Sequence, residues 1–363
     1  MKKIVKELVR NEKGQALIIV LAFLAIGGLT IATSLTYMTT GIKVGQVHEK
    51  KMNESYAADA GVEYGLWQLT SGGLELTEGQ QTTLSGFVMN NATVNTTIQR
   101  LSGVELPTYI INSTASGNSS STTIESYIYI GNLLFTFGLA SDGDIDLGNN
   151  NVVTGDIYVD DDGTLTTGFG FLHSGNVING GLDFPSQEEN DEFAQKYKDE
   201  ALAGGNWTGN YSIPMDAGVV TLGPLYISGN LNIAASNTVN MTGTIYVEGS
   251  IDVDKDAAFT GSGSIVAVGD IYLAKLYDCG IDDSIIIASL TGNITFKKEG
   301  DITAVIYAPN GTVVFDKDAS VTGSIVAAEI QTAKDYASAF NTSVIDLELP
   351  GASRPHIKGW KIN

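Results

Sequence analysis

The chain of 363 residues contains one cysteine, Cys279, and three histidines, His48, His173 and His356. A single cysteine excludes an intrachain disulfide. The histidines have no mutual ligand spacing, which argues against a zinc site. Positive charge is scarce: 20 Lys and Arg stand against 41 Asp and Glu, a net charge of −21. Such a surface does not bind nucleic acid through its phosphates, so a role in DNA uptake is not supported. After residue 14 the only arginines are Arg100 and Arg354, a poor supply for a site of clustered carboxylates with a basic partner. No Walker, dinucleotide-binding or G-x-S-x-G motif occurs in a supporting context. From Ala16 to Met38 charge is missing altogether.

What surrounds that uncharged stretch gives it meaning. The leader MKKIVKELVRNEKG carries Lys2, Lys3, Lys6, Arg10 and Lys13 and ends on Gly14. A helix over residues 16–38 would reach roughly 34 Å, enough to cross a bilayer core. No A-x-A-like site follows the apolar run, as it would in a secretory signal peptide. The positive leader is expected on the cytoplasmic side and the C-terminal bulk outside.

Lys13-Gly14 followed by Gln15-Ala16-Leu17-Ile18-Ile19-Val20 resembles the class III leader of type IV pilins. The resemblance implies that a prepilin peptidase cuts after Gly14 and methylates Gln15. Removing residues 1–14 would take the net charge from −21 to −24. Major pilins usually carry Glu where this chain has Ile19, a departure shared with minor pilins of the PilX type. The segment NESYAADAGVEYGLWQL at 53–69 is similar to the Y/F-x-A-A-E-A-G stretch of those minor pilins, with Asp59 for the usual Glu. The partners implied are the peptidase, other pilin subunits and their assembly machinery, with the membrane before assembly and an extracellular filament after it.

One helix is expected from about residue 16 to 70, apolar all round in its first half and amphipathic in its second. Met52, Tyr56, Ala60, Tyr64 and Trp67 recur at helical steps and are expected to pack on a globular head. Gly72-Gly73 ends the helix. Three alternating runs then fall within residues 92–130, separated by turn signals, and predict a small antiparallel meander.

From about residue 135 a 20-residue period appears. Leu225, Ile245, Ile265, Ile285, Val305 and Ile325 form one apolar column, and Ile227, Val247, Ala267, Ile287, Tyr307 and Ala327 a second. Leu231, Ile251 and Ile271 start a third that fades later in the chain. Coils of this kind cannot bury their aliphatics alone, and stacking them makes a β-helix, right-handed by analogy. Cys279, in register with Val219, Val239 and Phe259, is expected as a core thiol. Residues 186–205 interrupt the period with Phe193, Tyr197 and Ala201 at helical spacing, an inserted amphipathic helix on the solenoid side or over an open coil. The run at 332–351 is a candidate cap for the other end.

The expected fold class is α+β. A leader (1–14) precedes a pilin-like helix (15–72) and a β-meander (73–134). The first part of the β-helix (135–185), an inserted helix and loop (186–218), the regular β-helix (219–349) and a tail (350–363) follow. No catalytic residue is expected and the processing residues are Gly14 and Gln15. No cofactor is expected, with calcium as the alternative, at Asp160, Asp161 and Asp162 or at Asp252, Asp254 and Asp256; such an ion needs several oxygens from a short loop. Asp142, Asp144 and Asp146 lack the EF-hand glycine, since Leu147 follows. The expected function is a minor pilin-like subunit of a type IV pilus or related secretion filament. Its head would meet a surface glycan, a protein or another subunit. The alternatives are a membrane-anchored β-helix carbohydrate-active enzyme, marked by a cleft with paired carboxylates, and a scaffold that polymerises through its solenoid.

Overall fold

The computed structural model of the chain describes residues 2–71, 73–103, 107–117, 120–274, 276–277, 285–297, 300–341, 349–351 and 355–362. It divides into two compact units, Met1–Ser102 with Tyr109–Ile128 and Ile357–Asn363, and Gly103–Thr108 with Tyr129–His356.

In the first unit, α1 runs unbroken over Lys2–Thr70. Its last turn closes with Ser71 N–H donating to the Trp67 carbonyl at 2.8 Å, and Gly73 follows at a φ of +71°. The three runs expected at 92–130 are the strands Ala92–Arg100, Thr108–Ser116 and Ser121–Ile130. Val94, Thr96 and Ile98 are buried, as their alternation requires. Two short strands, Gln81–Thr83 and Phe87–Met89, pair antiparallel with Ala92–Arg100. Asn90 and Asn91, at φ +52° and +61°, form a two-residue hairpin loop between Met89 and Ala92. That conformation matches the twist of the paired strands and suits asparagine. Within the stretch read as a tail, Pro355–Ile362 is a strand and completes a six-stranded sheet beside Ser121–Ile130.

The face of α1 that meets this sheet is not the aromatic one. Tyr56 and Trp67 are exposed, as is Met52, whereas Ala57, Ala58, Gly61, Val62 and Gly65 are buried. The reason is distance. A Cβ on Gly61 would lie 2.0 Å from Ser113 Oγ, and one on Gly65 3.0 Å from Ile111. Thr96 Oγ1 reaches the Gly61 carbonyl at 3.1 Å. Small residues let helix and sheet backbones approach this closely, and aromatic rings on that face would hold them apart.

The second unit is a parallel β-solenoid of about nine turns, near 20 residues per coil. One interior column runs Leu225, Ile245, Ile265, Ile287, Ile306, Ile325, Leu139, Ile157, Val177. Ile285 and Val305, expected in this column, are not in it. The steps from Ile265 to Ile287, Ile306 and Ile325 are 22, 19 and 19 residues, which together equal three steps of 20. The period returns at Ile325 after slipping in between. In the second column Ala267 pairs with Ser289 rather than Ile287, and Tyr307 turns outward in line with Ala288 and Val326. The third column does not fade: Ile271 continues through Ile294, Val313 and Ile330 to Ile145 and Leu165. Val239 and Phe259 align with Val220, not Val219, because that step is 19 residues. Cys279 lies outside the described residues.

The coils do not stack in chain order. Ser320–Thr332 pairs with Leu139–Ser141 and Ile145–Leu147, and Ala337–Ala339 pairs with Val152–Thr154. The run at 332–351 therefore begins as a coil strand, and 342–348 of it lies outside the described residues. Buried Asn151 seals the joint. Its amide nitrogen donates to Thr332 Oγ1, and its oxygen accepts the Tyr336 N–H at 2.9 Å. The coil strands Asn206–Trp207 and Tyr211–Ile213 fall where an irregular loop was expected.

The inserted helix α2, Gln187–Gly204, lies along the solenoid side. Ser186 caps it in a capping box with Glu189, which satisfies two otherwise orphaned donors. Phe193, Tyr197 and Ala201 are buried, as their spacing predicts. They join Tyr246, Val266, Tyr307, Val326 and Tyr158 in a second core outside the coils.

Candidate functional site

The feature least explained by the fold is the first half of α1. A helix of 54 residues, Leu17–Thr70, is long and apolar enough to cross a membrane. Its early side chains are not covered by the described residues: Leu17, Ile18, Ile19, Val20, Phe23, Leu24 and Ile31 are all exposed. A helix that is apolar all round requires an apolar surrounding.

Five hydroxyls in and just beyond this segment are satisfied within the helix. The hydroxyls of Thr30, Thr33, Thr36, Thr39 and Thr40 each donate to the carbonyl four residues back, at 2.8–3.1 Å. In lipid each unsatisfied donor would cost several kcal/mol, so internal bonding is what a dry setting demands. Gly14 and Gln15 lie within α1, with side chains outside those described. Exposed Met52, Tyr56 and Trp67 extend the apolar surface farther along α1. Tyr64 holds this stripe to the head, stacked on Trp67 at 6.1 Å and edge-on to Phe87 at 5.8 Å. Alternation alone could not separate this exposed stripe from the packed one; the run of Ala and Gly at 57–65 was the available signal.

The solenoid presents a second surface. On one face Thr221, Asn240 and Thr260 align on successive coils, and Thr303, Thr322, Ala339, Thr154 and Ser174 align farther along. These side chains are small, uncharged, and exposed or half-buried. Parallel pairing sets them about 4.8 Å apart along the axis.

The acidic candidates do not converge. Among the described residues no group of three or more His, Cys, Asp or Glu could hold a metal ion. Asp252 and Asp254 are exposed, and the Asp254 carboxylate accepts the Lys255 N–H at 2.7 Å. Asp256 holds a left-handed corner at φ +60°, the same corner taken by Ser236 and Asp216 one and two coils earlier. Short polar residues tolerate that conformation. Asp160 accepts from Tyr158 Oη at 2.8 Å, while Asp161 and Asp162 face solvent. Asp144 accepts from both the N–H and the hydroxyl of Thr164, bonds that lower its pKa. Burial, with the Asp160 charge nearby, raises that of Asp142.

His48 is exposed on α1, His173 Nε2 lies 3.0 Å from the Gly155 carbonyl, and His356 stacks on Tyr129. A cavity of about 320 Å³ is lined by Asn132, Leu133, Leu182, Asp183 and His356, among others. It presents one carboxylate, not a pair. Arg100 donates to the Leu76 carbonyl at 3.1 Å, and Arg354 lies outside the described residues.

Comparison with known proteins gives a family model and several structural likenesses. The model of a Domain of unknown function (DUF7305) matches residues 183–346. No curated protein matches the chain. The chain is similar to the crystal structure of an ice binding protein from an Antarctic Biological Consortium, at 14% identity and a TM-score of 0.33, over 56% of this chain and 86% of that one. It is also similar to the crystal structure of the competence-associated pilin ComZ from Thermus thermophilus, at 9% identity and a TM-score of 0.30, over 86% of this chain and 97% of that one.

Proposed function

We propose that this chain is a minor pilin-like subunit of a type IV pilus or related secretion filament. One observation carries the reading: a single unbroken helix is bare and apolar in its first half and packed on an antiparallel sheet in its second. The bare half anchors the subunit in the membrane before assembly and packs among other subunits after it. The solenoid then projects from the filament, and its flat face of Thr, Asn and Ser meets a surface glycan or protein. The head acts by binding, without catalysis or cofactor.

A prepilin peptidase cuts after Gly14 in this reading and methylates Gln15. Ile19 cannot supply the carboxylate that pairs with a neighbour's terminal amine, so the subunit enters filaments as a low-copy component. The test is the terminus of the mature protein. Mass spectrometry should find Gln15 first, and Gly14→Val should leave the full-length form in the membrane. An intact Met1 terminus in cells that carry the export machinery overturns the proposal.

A further inference from the structure

Among the described residues no strand covers either end of the solenoid, and the two ends differ. At one end Leu165–Thr167, Leu172–Ser174 and Val177–Asn179 pair on one side, with Ile145–Leu147, Val152–Thr154 and Ile157–Val159. Phe169 stands 87% exposed there and Leu172 64%. At the other end Asn206–Trp207, Tyr211–Ile213 and Val219–Leu222 also pair on one side, with the coil that follows them. Val219 is 73% exposed, and Trp207 and Met215 are exposed with it. Open strand edges beside exposed apolar side chains are templates for further pairing.

A ladder at one corner gives the stack a direction. The Asn210 side-chain oxygen accepts the Asn230 N–H, Asn230 that of Ser250, Asp270 that of Asn293, and Asn293 that of Thr312. Past the joint, Asp144 accepts that of Thr164. Every rung runs the same way. The ladder therefore begins at an Asn210 N–H with no coil before it and finishes at a Thr164 hydroxyl with no coil after it. One end offers a donor and the other an acceptor. Two like ends would instead oppose strand directions, and at the Thr164 end would bring Asp161 and Asp162 against their own copies.

We propose that unlike ends dock, with the Asn206–Leu222 coil of one copy seated on the Leu165–Asn179 coil of the next. Val219 and Leu172 both occupy the outward position one residue before the interior column of their face, so docking sets them side by side. The contact is heterologous and does not close, so it builds an open row of heads. It needs neither the leader nor the membrane span, and stands apart from the function proposed above.

The test uses the full-length chain carrying Cys279→Ser, in membranes from the expressing cells. Leu172→Cys and Val219→Cys together should give a ladder of disulfide-linked oligomers on mild oxidation, and each alone should stay monomeric. Closure within one chain is ruled out, because the two ends lie roughly 40 Å apart at about 4.8 Å per coil. A double variant with the parent's melting temperature and no ladder overturns the proposal. So does a Leu172→Cys single variant that dimerises as fully as the double, which would show like ends meeting. A cysteine-free readout accompanies it. The detergent-solubilised wild type should sediment as a concentration-dependent series, and Leu172→Glu should reduce that series to one species. A wild type that sediments as one species at every concentration overturns the proposal.

Discussion

Two faces of the solenoid obey different rules. Leu231–Ile233, Ile251–Val253 and Ile294–Phe296 read buried, outward, buried, with polar Asn232, Asp252 and Thr295 between aliphatics. The face beneath α2 is covered on both sides, so Ile245–Val247 and Ile285–Ser289 are buried at every position. A strand buried on one side carries its own phase, since a slip of one residue would put every polar group inside. A strand buried on both sides reads as a continuous apolar run and carries none. Val305 and Tyr307 therefore look like interior residues in sequence and lie in the core under α2.

The sharpest way to break this contrast is a charge inside the coils. Ile265→Asp puts an unpaired carboxylate in the interior column and should cost about 4 kcal/mol or more. The expected result is loss of the cooperative transition in thermal circular dichroism, and a variant with unchanged melting would mean the column is misplaced. Removing the outer core should do less. Phe193→Ala should destabilise by about 3 kcal/mol, with hydrogen exchange quickening in α2 while the Leu231–Ile233 and Ile251–Val253 strands stay protected. Uniform loss of protection would mean that the two cores are one unit.

At the joint, Asn151→Ala strands the Tyr336 N–H and should cost about 2 kcal/mol, read as a lower urea midpoint. Smaller still is the rim of the α2 face, where Lys198 Nζ sits 2.5 Å from Glu248 and Tyr226 Oη donates to the same carboxylate at 3.0 Å. The hydrogen bond from Lys198 leads in holding Glu248 below its ordinary 4.5, and that from Tyr226 adds to it. A lowered carboxylate contributes stability that is present above pH 4.5 and lost as pH falls through the folded value. Glu248→Gln should therefore cost about 0.5 kcal/mol at pH 7, and the difference from wild type should shrink in acid. Asp254→Ala, on the open side, should shift stability by no more than about 0.5 kcal/mol. If chelator lowers the melting temperature of wild type but not of this variant, Asp254 is a metal ligand.

Much of this fold could be read from residue types. The uncharged run, the alternation in Ala92–Arg100 and the spacing of Phe193, Tyr197 and Ala201 each pointed to the element found. What stayed hidden depends on contacts between distant parts of the chain. The small residues at 57–65 permit a close approach, but nothing near them tells that a sheet from farther along the chain makes it. Pro355–Ile362, read as part of a tail, pairs with Ser121–Ile130, far from its neighbours in sequence. The apolar half of α1 was legible as a long uncharged helix because its lack of charge is local. The direction of the ladder was not, since its rungs join residues about twenty apart.

The joint sealed by Asn151 also bears on how the head is made. A chain synthesised N-terminus first presents 139–179 long before 320–339 exists to cover it. The earliest coils must wait with one edge open while some 140 further residues arrive. Such long-range closure slows folding and leaves pairing edges available to strangers. The last coil to be made is the one that ends the wait, so a truncation before residue 320 strands the beginning of the head as surely as it removes the end.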